Sequence, residues 1–215
     1  MKNIFTKKTI VLLALFIGPL LFYIFLSLGI YQYANLPILT SKVENIKGNE
    51  TFKGHFSVVS FLGANPSNSK SGLFNLNEVI YKRFKSSKYF QAVLIIPQGA
   101  DAEVEALKKK LKTYTDISQW KFVTMTNEEI QEVFNSFDSP YQLNEQMSSD
   151  YVFIIDRELR LRGRNDDEDT DGGKLYGYNM TKVADLKNKM KKDLEIIYYQ
   201  LKKSIEKEQR FQRKK

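Results

Sequence analysis

The stretch 57–71, which reads SVVSFLGANPSNSKS, constrains the fold most strongly because a strand pattern changes there into a helix pattern across a short turn. The apolar run 58–62 is short, β-branched and aromatic, and Gly63 ends it, as is typical of a buried strand. A polar turn containing Pro66 follows, and apolar residues then recur at helical spacing from about Ser71. A strand that leads into a helix through an exposed turn is a common location for the functional site of α/β proteins.

The same alternation continues along the chain. Strands are predicted at 56–62, 90–96, 120–124, 151–155 and 159–161, and helices at 72–85, 101–114, from the capping box Thr126–Glu129 onwards, and at 181–209. The inward face of the first helix is predicted to hold Leu73, Phe74, Leu76, Val79, Ile80 and Phe84. Alternating units imply parallel strands with helices on both faces, and the last hairpin adds an antiparallel edge. The pattern therefore predicts an α/β, thioredoxin-like domain with a central mixed sheet flanked by helices.

The strand, the FLGANP turn and the following helix resemble the copper- and redox-site region of the Sco/SenC proteins, and the resemblance extends over roughly 36–205. Those proteins are membrane-anchored, have a thioredoxin fold and help to assemble cytochrome c oxidase. The resemblance places the cysteines of the family's Cys-Pro-x-x-Cys motif on Asn65 and Ser69 and retains its proline as Pro66. It places the family's metal-binding histidine near Ser148. The resemblance thus implies a degenerate member that lacks the Cys/Cys/His site.

The chain contains no cysteine and a single histidine, His55. Disulfides, thiol redox chemistry and thiolate metal sites are therefore excluded, and one imidazole makes a poor copper or zinc site. No G-x-S-x-G nucleophile elbow surrounds Ser60 or Ser69, and no catalytic residue, metal or cofactor is predicted. The turn remains either a docking surface or a loop whose chemistry has been lost. Its candidate docking residues are Asn65, Pro66, Ser67 and Asn68.

The acidic segment Asp167, Asp169 and Asp171, followed by Gly172, matches the first half of a calcium-binding loop. Tyr178 stands where the complete loop needs a bidentate glutamate, and a strand rather than a helix is predicted before it. A solvated acidic loop is therefore preferred to a calcium site, with its charge neutralised by the upstream arginines Arg157, Arg160, Arg162 and Arg164. The alternative that this motif supports is a carboxylate- or calcium-dependent extracytoplasmic enzyme or binding protein.

The N-terminal run 9–33 carries no charge and predicts a transmembrane anchor. Its apolar core, 10–30, would extend about 31 Å as a helix, which matches the hydrocarbon thickness of a bilayer. The lysines within 1–8 predict a cytoplasmic N-terminus in the cell inner membrane, with the domain on the periplasmic side. A cleaved signal peptide is the alternative, but the apolar run exceeds the length of a signal core and no small-x-small site follows it.

The rest of the chain is predicted to comprise a tether at 34–50, the thioredoxin-like domain at 51–200 and a basic helical extension at 201–215. The net charge of +8 lies mainly at the two ends, since 181–215 contribute +7 and 1–8 contribute +3. The domain itself lacks the basic patch that nucleic-acid binding requires, so nucleic acid is not a predicted partner. The helix beyond about Gln200 is expected to project from the domain.

These patterns predict a membrane-anchored, non-catalytic accessory or interaction protein. The resemblance implies a role in cytochrome c oxidase assembly, with the cytoplasmic membrane and a membrane protein, either an oxidase subunit or an assembly factor, as partners. A further alternative is a structural tethered module whose basic helix binds a partner helix or a membrane surface.

Overall fold

The computed structural model describes residues 7–33, 35–47 and 50–212, and it divides the chain into two compact units, Met1–Asn35 and Leu36–Lys215. The first unit contains helix α1 (Lys7–Tyr33), with Pro19 inside it. Its side chains are described for 7–8 and 11–26 and are exposed, large apolar ones included. Across the helical residues that the structure describes, no stretch is both long and apolar enough to cross a membrane. The predicted transmembrane anchor is not supported by these residues and stays a prediction.

The second unit is built on a mixed sheet with seven strands among the described residues. The strands are β1 (Ile38–Thr40), β2 (Phe56–Leu62), β3 (Phe90–Pro97), β4 (Trp120–Met125), β5 (Ser148–Ile155), β6 (Leu161–Arg162) and β7 (Tyr178–Asn179). Their order is β1-β6-β5-β2-β3-β4, and β7 also pairs with β5. Strands β2, β3 and β4 are parallel, whereas β5 runs antiparallel to β2 and β6 antiparallel to β5. This is a thioredoxin-like sheet with β4 added at one edge.

Helices cover both faces of this sheet. They are α2 (Lys70–Leu76) and α3 (Lys82–Phe84), joined by a π turn (Asn77–Tyr81); α4 (Asp101–Lys112); α5 (Asn127–Asn135); α6 (Val183–Asp185); a second π turn (Leu186–Met190); and α7 (Lys191–Gln212). Helices α2, α4 and α7 pack on the face that includes Val58 and Leu62, and α5 packs on the face that includes Val59 and Phe61. Successive residues of a strand point to opposite faces, so β2 contributes to both halves of the core.

The predicted strand and helix alternation is confirmed, with differences at the ends of elements. Strand β5 begins at Ser148 rather than at 151, and β6 spans Leu161–Arg162 rather than 159–161. Thr126 accepts a hydrogen bond from the Glu129 backbone and Glu129 reciprocates, which forms the predicted capping box. Asp101 is of a residue type typical of helix N-caps, but here it is the first residue of α4, and the cap is Ala100, whose carbonyl accepts from the Val104 backbone. The prediction that Phe74 faces inward is wrong, since this side chain is 47% exposed. Its neighbour Leu73 is buried instead, and the roughly 100° rotation between successive helical residues turns Phe74 away from the sheet.

Part of the segment predicted as a tether lies on the domain. Leu36, Val43 and Ile46 are buried, and β1 within this segment pairs with β6. The backbone N–H of Val43 donates to the carbonyl of Leu159 at 2.8 Å. The second unit therefore begins well before the boundary at residue 51 that composition indicates.

Helix α7 and the π turn before it pack along the sheet further than the sequence predicts. Leu186, Met190, Leu194 and Ile197 are buried, and so is Leu201, at 6% exposure. Ile205 also packs against the core, and the following residues 206–210 are exposed. The projecting basic part of the helix thus begins about one turn later than predicted.

Candidate functional site

The turn after β2 is held in place by the segment that precedes β5. Gly63 adopts a φ of +69°, and a Cβ at this position would lie 2.8 Å from the Cβ of Ser148. The backbone N–H of Ala64 donates to the Gln146 carbonyl at 3.0 Å. The Asn144 side chain in turn accepts hydrogen bonds from the backbones of Gln146 and Ser148 at 3.0 Å. Glycine is required here by both the conformation and the close approach.

Ser148, near which the resemblance places the family's histidine, lies against Gly63 at the start of the turn that contains Asn65 and Ser69. Ser148 is half-buried and pairs with Leu62 at the end of β2. Asn65 precedes a short 3₁₀ turn (Pro66–Ser69) and its carbonyl accepts from the Asn68 backbone at 3.1 Å. These side chains offer amides and hydroxyls, which can exchange hydrogen bonds with a partner but supply neither a thiolate nor an imidazole ligand.

The proposed docking residues differ in their exposure. Asn65 and Asn68 are exposed and Ser67 is half-buried, whereas Pro66 is buried at the start of the 3₁₀ turn. A proline there is compatible with helical geometry because its missing N–H has no partner to lose. Pro66 therefore stabilises the conformation of the turn from its buried side. The two exposed asparagines are the side chains that a partner would contact. The docking role of this turn stays a prediction.

Neither His55 nor Ser60 provides an accessible reactive group at the turn. His55 precedes β2, whose seven residues separate it from the turn by roughly 20 Å. Its Nδ1 is enclosed and makes no hydrogen bond within the described residues. Ser60 is fully buried inside the sheet, so its hydroxyl is not accessible as a nucleophile. Within the residues that the structure describes, no three His, Asp or Glu side chains are grouped as a metal site requires.

A lysine forms salt bridges with two carboxylates of the acidic segment. The Lys189 ammonium lies 2.7 Å from Asp167 Oδ1 and 2.8 Å from Asp169 Oδ2. Asp167 is buried and also accepts from the Thr170 hydroxyl at 3.0 Å and from the Asp169 backbone at 3.2 Å. The prediction of a fully solvated loop is wrong for Asp167, although Asp169 and Asp171 are exposed. The carboxylate of Asp167 already accepts hydrogen bonds from Lys189, Thr170 and the Asp169 backbone. Little of it is therefore left to coordinate a cation.

Beside this segment lies a buried ion pair that includes Tyr178. Arg164 binds Asp193 through two hydrogen bonds, of 2.8 and 3.0 Å, and the Tyr178 hydroxyl donates to Asp193 at 2.7 Å. Burial and the adjacent Asp193 charge raise the pKa of Tyr178. Tyr178 is thus engaged in the core and unavailable at the twelfth position of a calcium loop.

The upstream arginines have different partners from those predicted. Arg164 lies 3.6 Å from Asp167, in agreement with the predicted neutralisation. Arg160 and Arg162 instead bind Asp156, at 2.7 and 2.9 Å. The Arg157 guanidinium lies over the Tyr89 ring, 5.4 Å from its centroid. Most of the arginine charge is therefore used within the β5–β6 hairpin.

An open cleft of about 970 Å³ separates the acidic segment from the loop that contains Tyr141. The rings of Tyr141 and Tyr151 stack in the cleft wall, with centroids 3.9 Å apart and planes at 17°. Burial raises the pKa of Tyr141, and the electrostatic interaction with Tyr151 raises it further, to about 12. Lys174 and Lys182 also line the cleft. Sequence reasoning missed it because Tyr141 lies in a loop without helical or strand periodicity.

Asp167 is expected to make stability depend on pH in the acid range. Burial acts to raise the pKa of Asp167, but hydrogen bonds from Lys189 and Thr170 outweigh it, and the net pKa is lowered. A carboxyl whose pKa is lower in the folded state contributes stability above its unfolded pKa of about 4 and loses that stability as pH falls. Urea unfolding of the full chain from pH 6 to pH 3 should show this loss.

The matched variants are D167N and D166N, the second at an exposed neighbour. D167N should flatten the dependence of unfolding free energy on pH below about 5, whereas D166N should retain the wild-type slope. An unchanged slope in D167N would show that the pKa of Asp167 is not lowered by folding.

No family model matches the chain, and no curated protein matches it significantly. It is similar to solved structures that include a thiol:disulfide interchange protein of Chlorobium tepidum (18% identity, TM-score 0.48, 75% of this chain and 99% of that one). They also include BsSco, a member of the Sco family (14%, TM-score 0.47, 72% and 96%), and copper-bound ScoI of Arabidopsis thaliana (17%, TM-score 0.43, 68% and 89%). Sco proteins and thioredoxin-like thiol:disulfide proteins are thus among the structures to which this chain is similar, and at these identities the similarity concerns the fold.

Proposed function

We propose that this chain is a membrane-anchored, non-catalytic interaction protein built on a thioredoxin-like domain. The observation that carries the proposal is the turn after β2, where exposed Asn65 and Asn68 stand in a chain that contains no cysteine. Without a thiol, this turn cannot exchange disulfides or hold copper through thiolates. Hydrogen bonding to a partner is the chemistry that its amides and hydroxyls retain.

A role in cytochrome c oxidase assembly is the proposed biological context. It follows from the sequence resemblance to the Sco/SenC proteins, and BsSco is described as belonging to a family of cytochrome c oxidase assembly proteins. The proposed partner is accordingly an oxidase subunit or an assembly factor in the same membrane. The proposed role is to contact such a partner without transferring metal or electrons to it.

Membrane attachment is proposed through the N-terminal segment. The uncharged run 9–33, with lysines before it, supports an anchor whose N-terminus is cytoplasmic. A reporter that works only in the exported compartment should be active when fused after Lys215. A cytoplasm-only reporter at the same site should be inactive, and strong activity from it would contradict the proposed orientation.

The proposed function is tested by deleting the gene and measuring assembled oxidase from its haem absorption spectrum. Loss of assembled oxidase, restored by the wild-type chain, is expected. The purified full chain should retain no stoichiometric copper after chelation and should not reduce insulin disulfides. One copper per chain would contradict the non-catalytic assignment, and unchanged oxidase content would contradict the assembly role.

The contribution of the turn is tested with the double variant N65A/N68A. Both side chains are exposed, so the fold should be retained while co-purification with the oxidase partner falls. The matched control is N135A/N188A, which removes two exposed asparagines outside the turn. Equal co-purification by the two double variants would exclude the turn as the docking surface.

A further inference from the structure

A largely apolar groove of about 280 Å³ lies between α2 and α4. Leu73, Leu107 and Leu111 line it together with Phe74 and Tyr114. The two aromatic side chains are 47% and 51% exposed, and their rings meet edge-to-face with centroids 5.8 Å apart. Large aromatic side chains that remain exposed beside a concave apolar surface are typical of interaction sites.

The groove wall contains a buried hydrogen-bond acceptor without a donor. Asn77 lines the groove and is 1% exposed. Its Nδ2 donates to Glu78 Oε1 at 2.9 Å, which fixes the orientation of the amide. Its Oδ1 accepts no hydrogen bond from any residue that the structure describes. Asn77 begins the π turn between α2 and α3, and such turns are frequent at functional sites. This oxygen has almost no exposed surface, so an N–H or O–H group of a ligand would satisfy it once the side chains of the groove wall move apart.

Two exposed lysines complete the lining. Lys70 and Lys110 lie on α2 and α4 respectively, and neither makes an ion pair within the described part of the chain. Unpaired positive charges on both helices would attract a negatively charged partner and fix its orientation across the groove. A symmetric pair of copies meeting at this groove would bring Lys70 and Lys110 of one copy towards those of the other, which opposes that association.

We propose that this groove binds a segment of a partner protein in which a tryptophan or tyrosine is flanked by acidic residues. The ring would fill the apolar groove, its N–H or O–H would donate to Asn77 Oδ1, and the carboxylates would meet Lys70 and Lys110. An ionised fatty acid fits less well, because its carboxylate accepts hydrogen bonds and cannot donate one. This groove adjoins the turn but shares no lining residue with the Asn65–Asn68 docking residues, so different variants test the two surfaces.

The probe is a fluorescein-labelled peptide of sequence EDWLDE, titrated with the full chain in nanodiscs of neutral phosphatidylcholine and followed by fluorescence anisotropy. Two matched peptides replace the tryptophan by phenylalanine or all four acidic residues by lysine. The acidic tryptophan peptide should bind at least about 10-fold more tightly than its lysine counterpart. It should bind roughly 3- to 10-fold more tightly than the phenylalanine peptide, because only the indole donates to Asn77.

Charge reversal provides the decisive variant. K70E/K110E should invert the preference so that the lysine peptide binds more tightly, whereas K109E/K112E, at exposed positions of α4 outside the groove lining, should keep the wild-type preference. N77L should abolish the preference for tryptophan over phenylalanine. Failure of the acidic tryptophan peptide to bind, or equal effects of the two double reversals, would overturn the proposal.

A second copy of this chain is the competing occupant of the groove. Self-association is measured by analytical ultracentrifugation of the same nanodisc samples. The wild-type chain should remain one per disc at concentrations where the peptide binds. If it associates, and F74A/Y114A abolishes that association, the groove is an interface between copies and the assignment to a partner segment is wrong.

Discussion

Replacing Asp193 by alanine is expected to lower the free energy of unfolding by about 3–5 kcal/mol, because it removes one partner of a buried ion pair. Asp193 is buried and receives two hydrogen bonds from Arg164 and one from the Tyr178 hydroxyl. Without it, the half-buried guanidinium keeps only the more distant carboxylate of Asp167, 3.6 Å away, and a fully buried phenol loses its acceptor. Urea unfolding of the full chain, followed by the fluorescence of Trp120, measures the difference.

The control for D193A is E206A, which removes an exposed carboxylate from the same helix and should change stability by less than about 0.5 kcal/mol. Replacing all three network members, as R164M/Y178F/D193L, should recover much of the loss, because no buried charge is then left unpaired. A cost below about 1 kcal/mol for D193A would show that Arg164 finds another partner or reaches water.

Replacing Phe61 by alanine is expected to cost about 3–5 kcal/mol, through lost burial and the cavity that remains. Phe61 is fully buried in β2, and its ring contacts those of Phe134, Phe137 and Phe153 at centroid distances of 5.1, 5.8 and 6.1 Å. Three aromatic neighbours from α5, the segment after it and β5 cannot all move inward to fill the space. The cavity should therefore persist and the cost should lie near the top of this range.

Phe74 supplies a matched control because it is the same residue type in a nearly half-exposed position. F74A should change the unfolding free energy by less than about 1 kcal/mol under the same conditions. Similar losses for F61A and F74A would mean that the α5 face of the sheet is packed loosely enough to collapse around the missing ring.

The central strands could be predicted because their signal is local. The run Phe56–Leu62 is buried on both faces, so its apolar residues are continuous and its limits agree with those of β2. The capping box at Thr126 and Glu129 is also local, since both groups lie within one turn. Strands β1 and β7 have only three and two residues, which is too short for a strand pattern to be visible in the sequence. They are strands because they pair with β6 and β5, which are distant in the chain, and the prediction therefore missed them.

The candidate sites were predicted less completely because their partners are distant in sequence. The burial of Asp167 depends on Lys189, 22 residues later, and no spacing within the acidic segment reveals that contact. The groove beside Phe74 depends on how α2 approaches α4, and the π turn at Asn77 shifts the helix faces from those of a regular helix.

The pairing of β1 with β6 has a consequence for biosynthesis. Arg162 donates to the carbonyl of Leu36, 126 residues earlier, so the first strand to leave the ribosome is among the last to find its place. Closing a chain segment of that length costs about 4 kcal/mol of entropy, before any contact offsets it. Until residue 162 has been synthesised, the edge of β6 that β1 will cover does not exist. Residues 36–47 should therefore be available to chaperones and proteases throughout most of translation.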